Sequence, residues 1–210
     1  MALADQLRLM VLTDSALLKG RDAVDVCRRA IAGGAGATII QVRWKDGDSR
    51  DVLQLTQALV GALPVPVLVN DRVDIALVAG AAGAHLGQDD PPADVLRPHV
   101  PPGFLLGISV GSGAEAARVR GWPADYWSVG PCFPTGNKPD AGPALGPDGF
   151  AALTRLAPEG VPVIGIGGIT AANAAAIARA GAAGVAVIGA VLGAPDPERA
   201  ARELRAALPH

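Results

Sequence analysis

Aromatic side chains make up only 3% of this 210-residue chain, and its charges nearly balance at a formal net charge of -2. With few rings on which bases could stack and no broad basic surface, nucleic-acid binding is not expected, and any affinity for phosphate must be local. Cysteine is equally scarce. Cys27 and Cys132 lie in unrelated segments without metal-type spacing, and no signal peptide precedes them, which argues against a disulfide framework and fits a reduced, cytoplasmic setting. Uninterrupted apolar runs of membrane length are missing too. Residues 161–178 carry no charge, but Pro162, Gly165, Gly167, Gly168, Thr170 and Asn173 interrupt them, so a strand, a turn and a helix are expected there. There is no HExxH, no Ser-His-Asp order and no GxGxxG opening, which leaves metalloprotease, hydrolase and dinucleotide-binding readings without support.

What is present is a rhythm. Short β-branched runs ("LRLMVLTD", "ATIIQVR", "PVLVND", "AHLGQ", "LLGISV", "YWSVGP", "PVIGIGG", "GVAVIGA") alternate with Ala/Leu/Arg segments of helical spacing, the last of them around Pro197 to Ala207. Strands this apolar are buried on both faces, as parallel strands covered by helices are. Eight such units in about 200 residues predict the α/β class, a single-domain (β/α)8 TIM barrel spanning residues 1–210. An open doubly wound sheet is the alternative. Polar punctuation after every strand, instead of at one switch point, favours the barrel.

A barrel gathers the carboxyl ends of its strands on one rim. In chain order these are Asp14; Gln41, Arg43 and Lys45; Asn70 and Asp71; Gln88 and Asp90; Ser109; the Gly/Pro-rich loop from Gly130 to Lys138; Gly167-Gly168; and Ile188-Gly189. Arg43 and Lys45, one strand period apart, suit a polyanionic group, a solvated charge pair being the bland alternative. Only three lysines occur in this Arg-rich chain, and Lys45 and Lys138 both fall at rim positions. Asp71 and Asp90 end neighbouring strands and suit a shared hard cation, with Mg²⁺ the natural choice; alternatively each caps the helix that follows it. The glycine turns "GIGGIT" and "VIGAVLG" read as a phosphate cradle or simply as tight strand-to-helix turns. His85 reads as a satisfied core residue.

The segments "VLTD", "QVRWK", "VNDRVDIAL", "GAHLGQDD", "GISV", "GPCFPTGNKPD", "IGIGGIT" and "GVAVIGA", in this order and spacing, resemble the thiamine-phosphate synthase family from about Met10 to Pro197. The resemblance implies a transferase that joins a pyrimidine diphosphate to a thiazole phosphate, or its carboxylated form, releasing pyrophosphate by a dissociative route. It implies that Gln41, Arg43, Lys45, Asn70, Ser109 and Lys138 hold the pyrimidine diphosphate, with Arg43, Ser109 and Lys138 taking part in catalysis. Asp71 and Asp90 would bind Mg²⁺, and Thr135, Asn137, Gly168, Ile188 and Gly189 the thiazole phosphate. The expected partners are small-molecule substrates, with no nucleic acid and no membrane, and a homo-oligomer is left open.

Four positions depart from the family pattern. Trp44 replaces a common acidic residue, Gly111 a frequent histidine, Asn137 a common threonine and Gly189 a common serine. The last two remove hydroxyl donors, so altered thiazole-phosphate affinity is expected. A thiazole tautomerase on the same barrel, which would not need the metal carboxylates, and a non-catalytic phosphate-ligand sensor are the competing readings.

Overall fold

The computed structural model describes residues 2–45, 47–136 and 142–208. Eight parallel strands, β1 (Leu9–Leu12), β2 (Ile39–Val42), β3 (Val67–Asn70), β4 (Gly83–Leu86), β5 (Leu105–Val110), β6 (Tyr126–Val129), β7 (Val163–Ile166) and β8 (Gly184–Val187), close in sequence order into a barrel. β1 pairs with β8 to complete the ring, which excludes the open sheet. This is the (β/α)8 architecture. The helices fall where their spacing predicted, among them Ala23–Ile31, Ser49–Ala62, Val73–Ala79, Gly146–Thr154 and Pro197–Ala206. Among the described residues no helix is long and apolar enough to cross a membrane, and residues 161–178 contain β7 and the short helix Ala174–Arg179.

Strand alternation divides the apolar residues into two clusters. Val11, Ile40, Val69, Ala84, Leu106, Trp127, Val163 and Val185 face outward into the layer shared with the helices. Met10, Ile39, Leu68, Tyr126, Ile164 and Ala186 face inward and fill the bore. Higher in the bore the inward positions turn polar, to Gln41, Asn70, His85, Ser109 and Ser128. One row of the register runs Asn70, His85, Gly107, Tyr126 across β3 to β6. Gly107 permits that row to pack: a Cβ there would lie 2.0 Å from Tyr126 Cζ, so the phenol ring crosses the strand where no side chain stands.

Candidate active site

The polar end of the bore opens into a cavity of about 760 Å³ at the C-terminal rim. Gln41, Arg43, Lys45, Asn70, Asp71, Asp90, Ser109, Thr135, Gly168, Ile188 and Gly189 all line it. Asn137 and Lys138 lie outside the described residues.

On the β1–β2 side, Arg43 is fixed before any ligand arrives. Its backbone N–H donates to Thr13 Oγ1 at 2.9 Å, Thr13 Oγ1 donates to its carbonyl at 3.1 Å, and Nη1 donates to Asp14 Oδ2 at 3.0 Å. The Arg43 side chain is only 8% exposed, so the pair with Asp14 is little screened. Asp14 does not line the cavity; its other carboxylate oxygen caps the one-turn helix Ser15–Leu18 by accepting from Leu17 N. Lys45, exposed, stands at the mouth.

Neither aspartate is consumed as a helix cap. The residue capping Val73–Ala79 is Arg72, the one capping Ala93–Leu96 is Pro92, and neither supplies a side-chain cap bond. Asp71 instead adopts a left-handed conformation, φ 64°, its N–H donating to the His85 carbonyl at 2.8 Å. Asp90 Oδ2 accepts from Gly87 N at 2.6 Å. The two carboxylates feel each other. Crowding by protein, then the charge of Asp90 and a hydrogen bond from it, push the Asp71 carboxyl up to about 6, against the opposing pull of Arg43 and Lys45. Two hard oxygen donors that repel each other fit a divalent cation. Among the described residues no group of three or more His, Cys, Asp or Glu gathers, so the donor set suits an ion whose shell ligand oxygens and water complete, as Mg²⁺ prefers.

Deeper in the cavity, His85 is buried and hydrogen-bonded as a core histidine should be, yet it also forms part of the wall. Its Nδ1 lies 2.9 Å from Tyr126 Oη and its Nε2 2.9 Å from Ser109 Oγ. Gln88 Nε2 donates to the Ser109 carbonyl at 2.6 Å. Among the described residues the buried Oε1 atoms of Gln41 and Gln88 find no hydrogen-bond partner, an arrangement that costs free energy unless a donor is supplied. Reasoning from the sequence missed the grouping of Tyr126 with His85 and Ser109. Its signal was the single glycine inside the apolar run "LLGISV".

The β6–β8 side offers backbone. Residues 132 and 133 are fastened to β7 and its turn by Cys132 N to Ile166 O and Phe133 N to Gly167 O, at 2.8 and 3.0 Å. Gly168, at φ 63°, nests so closely that a Cβ would meet Pro134 O at 2.6 Å. The glycine turn is therefore required by packing as well as suited to an anion. Asn173 locks it, donating to Gly168 O at 3.0 Å and accepting from Thr170 N at 2.8 Å. Past β8, Ile188 leads into the one-turn helix Gly189–Leu192, whose first intrahelical donor is Val191 N, so the Gly189 and Ala190 N–H groups precede the ladder.

Fold and rim together define a (β/α)8-barrel enzyme with its reaction chamber at the carboxyl ends of the strands. The chain belongs to the thiamine monophosphate synthase family, whose model matches residues 9–191, and is a transferase. It is 49% identical over 198 residues to the thiamine-phosphate synthase of Roseiflexus castenholzii, covering 92% of this chain and 85% of that one. It is 48% identical to that of Methanoculleus marisnigri, covering 94% and 93%. Among solved structures, the thiamine phosphate pyrophosphorylase of Pyrococcus furiosus superposes with a TM-score of 0.87 at 35% identity, covering 98% of this chain and 97% of that one. A 3-hexulose-6-phosphate synthase at 21% identity and TM-score 0.70 shares the fold.

Proposed function

We propose that this protein, in the cytoplasm, condenses 4-amino-2-methyl-5-(diphosphooxymethyl)pyrimidine with 4-methyl-5-(2-phosphooxyethyl)thiazole, or its carboxylated form, to give thiamine phosphate and pyrophosphate. The observation that carries the reading is the meeting, in one cavity, of a buried Arg43 held by Asp14, the Asp71–Asp90 pair and a glycine turn. Arg43, Lys45 and Ser109 bind the diphosphate, and Asn70 stands beside them. Bound between Asp71 and Asp90, Mg²⁺ would supply charge that the leaving pyrophosphate needs. Gln41 Oε1, a buried acceptor without a partner among the described residues, suits the exocyclic amino group of the pyrimidine. Thr135, Gly168, Ile188 and Gly189 hold the phosphate of the second substrate; Asn137 and Lys138 join by family resemblance alone.

The chemistry is dissociative. The carbon–oxygen bond to pyrophosphate breaks, the aminopyrimidine stabilises the methylene cation, and the thiazole nitrogen captures it. The protein's part is to meet negative charge as it grows on the departing oxygens and to keep water away from the cation. No general base is called for.

Pyrophosphate release on mixing both substrates with Mg²⁺ tests the reading. Release that requires both substrates and stops in excess EDTA supports it. A tautomerase would rearrange its thiazole without pyrophosphate, and a sensor would bind without turnover; either result rejects the proposal.

A further inference from the structure

Under the mouth of the cavity, three side chains from β4, β5 and β6 form a chain of contacts: Tyr126 Oη to His85 Nδ1 at 2.9 Å, and His85 Nε2 to Ser109 Oγ at 2.9 Å. The rings of His85 and Tyr126 also stack, with centroids 5.5 Å apart. Which way the protons run decides what Ser109 offers a ligand.

The direction follows from Tyr126. The ring is fully buried, and burial pushes its hydroxyl far above the ordinary range, so the phenol keeps its proton. Among the described residues, the side-chain atom at hydrogen-bond distance from the phenol oxygen is His85 Nδ1, which is therefore assigned the phenol proton. A ring that accepts at Nδ1 is neutral and carries its hydrogen on Nε2, which then donates to Ser109 Oγ. The serine oxygen, filled on that side, has its own hydrogen left for the cavity that it lines. Its carbonyl, held by Gln88, keeps the residue from turning away.

We propose that Tyr126 and His85 are positioning residues that fix Ser109 as a hydrogen-bond donor toward the leaving diphosphate. This rests on the reading of the cavity as a diphosphate site. With the opposite tautomer Ser109 would spend its hydrogen on the imidazole and present lone pairs to an anion, which is repulsive. Gly107 makes the arrangement possible, because any side chain there would displace the Tyr126 ring.

The tautomer is read directly from a long-range proton–nitrogen spectrum of the full-length protein labelled with ¹⁵N-histidine, its three histidines resolved by comparison with His99→Gln and His210→Gln. The expected result is hydrogen on Nε2 of His85; hydrogen on Nδ1 overturns the proposal. Kinetics give a second test. Tyr126→Phe keeps the ring over Gly107 but leaves Nδ1 without its donor, and should lower kcat about tenfold with the pyrimidine diphosphate KM nearly unchanged, less than the hundredfold typical of a donor lost outright. His85→Gln, whose amide nitrogen reaches the place of Nε2 and always donates, should keep more activity than His85→Asn. In the His85→Gln background, Tyr126→Phe should cost nothing further. Additive losses, or a Tyr126→Phe enzyme with wild-type kcat, overturn the proposal. If the wild type itself releases no pyrophosphate, the diphosphate reading fails on its own, while the spectrum still reports the tautomer.

Discussion

The two halves of the rim would offer an anion different means of binding. From β2 to β5 the cavity is lined by charged and polar side chains, Arg43, Lys45, Asn70, Asp71, Asp90 and Ser109. From β7 to β8 the lining includes Gly167, Gly168, Ile188, Gly189 and Ala190, and apart from the Thr170 hydroxyl the backbone is the polar surface. The first half can respond to charge that grows during a reaction, since it carries full charges, Arg43, Lys45 and the Asp71–Asp90 pair. The second presents fixed dipoles, suited to a phosphate whose charge does not change. The difference matches the proposed chemistry: the diphosphate departs, and the thiazole phosphate is only a handle.

The sharpest way to break this comparison is to neutralise the carboxylate pair. Asp71→Asn and Asp90→Asn should each lower Mg²⁺-dependent turnover by about 10²-fold or more, as loss of a charge stabiliser does. Asparagine tolerates the left-handed backbone of Asp71, so the fold is preserved. Wild-type rates in either variant would detach the pair from the chemistry.

On the backbone half, Gly168→Ala places a methyl group 2.6 Å from Pro134 O at φ 63°. We expect stability to fall by about 1–3 kcal/mol and the thiazole-phosphate KM to rise, with the pyrimidine diphosphate KM steady. Equal changes in both constants would mean that the two halves are not separable.

Gly189→Ser works in the opposite direction. Gly189 opens the helix Gly189–Leu192 and is not among the glycines at positive φ, so serine brings its hydroxyl to the cradle without backbone strain. A lowered thiazole-phosphate KM, by about tenfold at best for one hydrogen bond to a charged group, would show that this half gains from a side chain. No change would leave the phosphate to the backbone alone.

The smallest effect concerns stability. The Asp71 carboxyl titrates at about 6 in the folded chain against an ordinary 3.8. The folded state therefore holds the proton more tightly, and the metal-free protein has this contribution in full below the ordinary value and loses it as pH rises through about 6. For an exposed carboxylate the contribution is about 1 kcal/mol after solvent screening, or roughly 2–4 °C in Tm. Metal-free Asp71→Asn should melt higher than wild type at pH 7.5 and lose that advantage near pH 4, when both are compared by thermal scan. Because protons and Mg²⁺ compete for the same oxygens, Mg²⁺ should stabilise wild type more at pH 7.5 than at pH 5.

Much of the fold was legible because parallel strands covered by helices are almost wholly apolar and stop in polar residues, as "PVLVND" does at Asn70 and Asp71. The one-turn helices Ser15–Leu18 and Gly189–Leu192 escaped notice, since four residues are too few to display a helical period. Of the cavity lining, the rim residues could be collected by position alone once the barrel was assumed. The tie between Asp14 and Arg43, 29 residues apart, and the group formed by His85, Ser109 and Tyr126 depend on register and on space opened by Gly107, which no local pattern encodes. The choice between cap and free carboxylate at Asp71 also required the backbone, because an aspartate before a helix looks the same in either role.

The Asp14–Arg43 pair bears on entropy. An arginine free in solvent gives up about 2 kcal/mol of rotamer freedom when it is immobilised, and a ligand that must immobilise it binds more weakly by some of that amount. Here the freedom is surrendered when the chain folds, through Thr13 and Asp14, so the proposed diphosphate would find the guanidinium already still. On the proposed function Asp14 would thereby contribute to affinity without lining the cavity, through disorder it has removed beforehand.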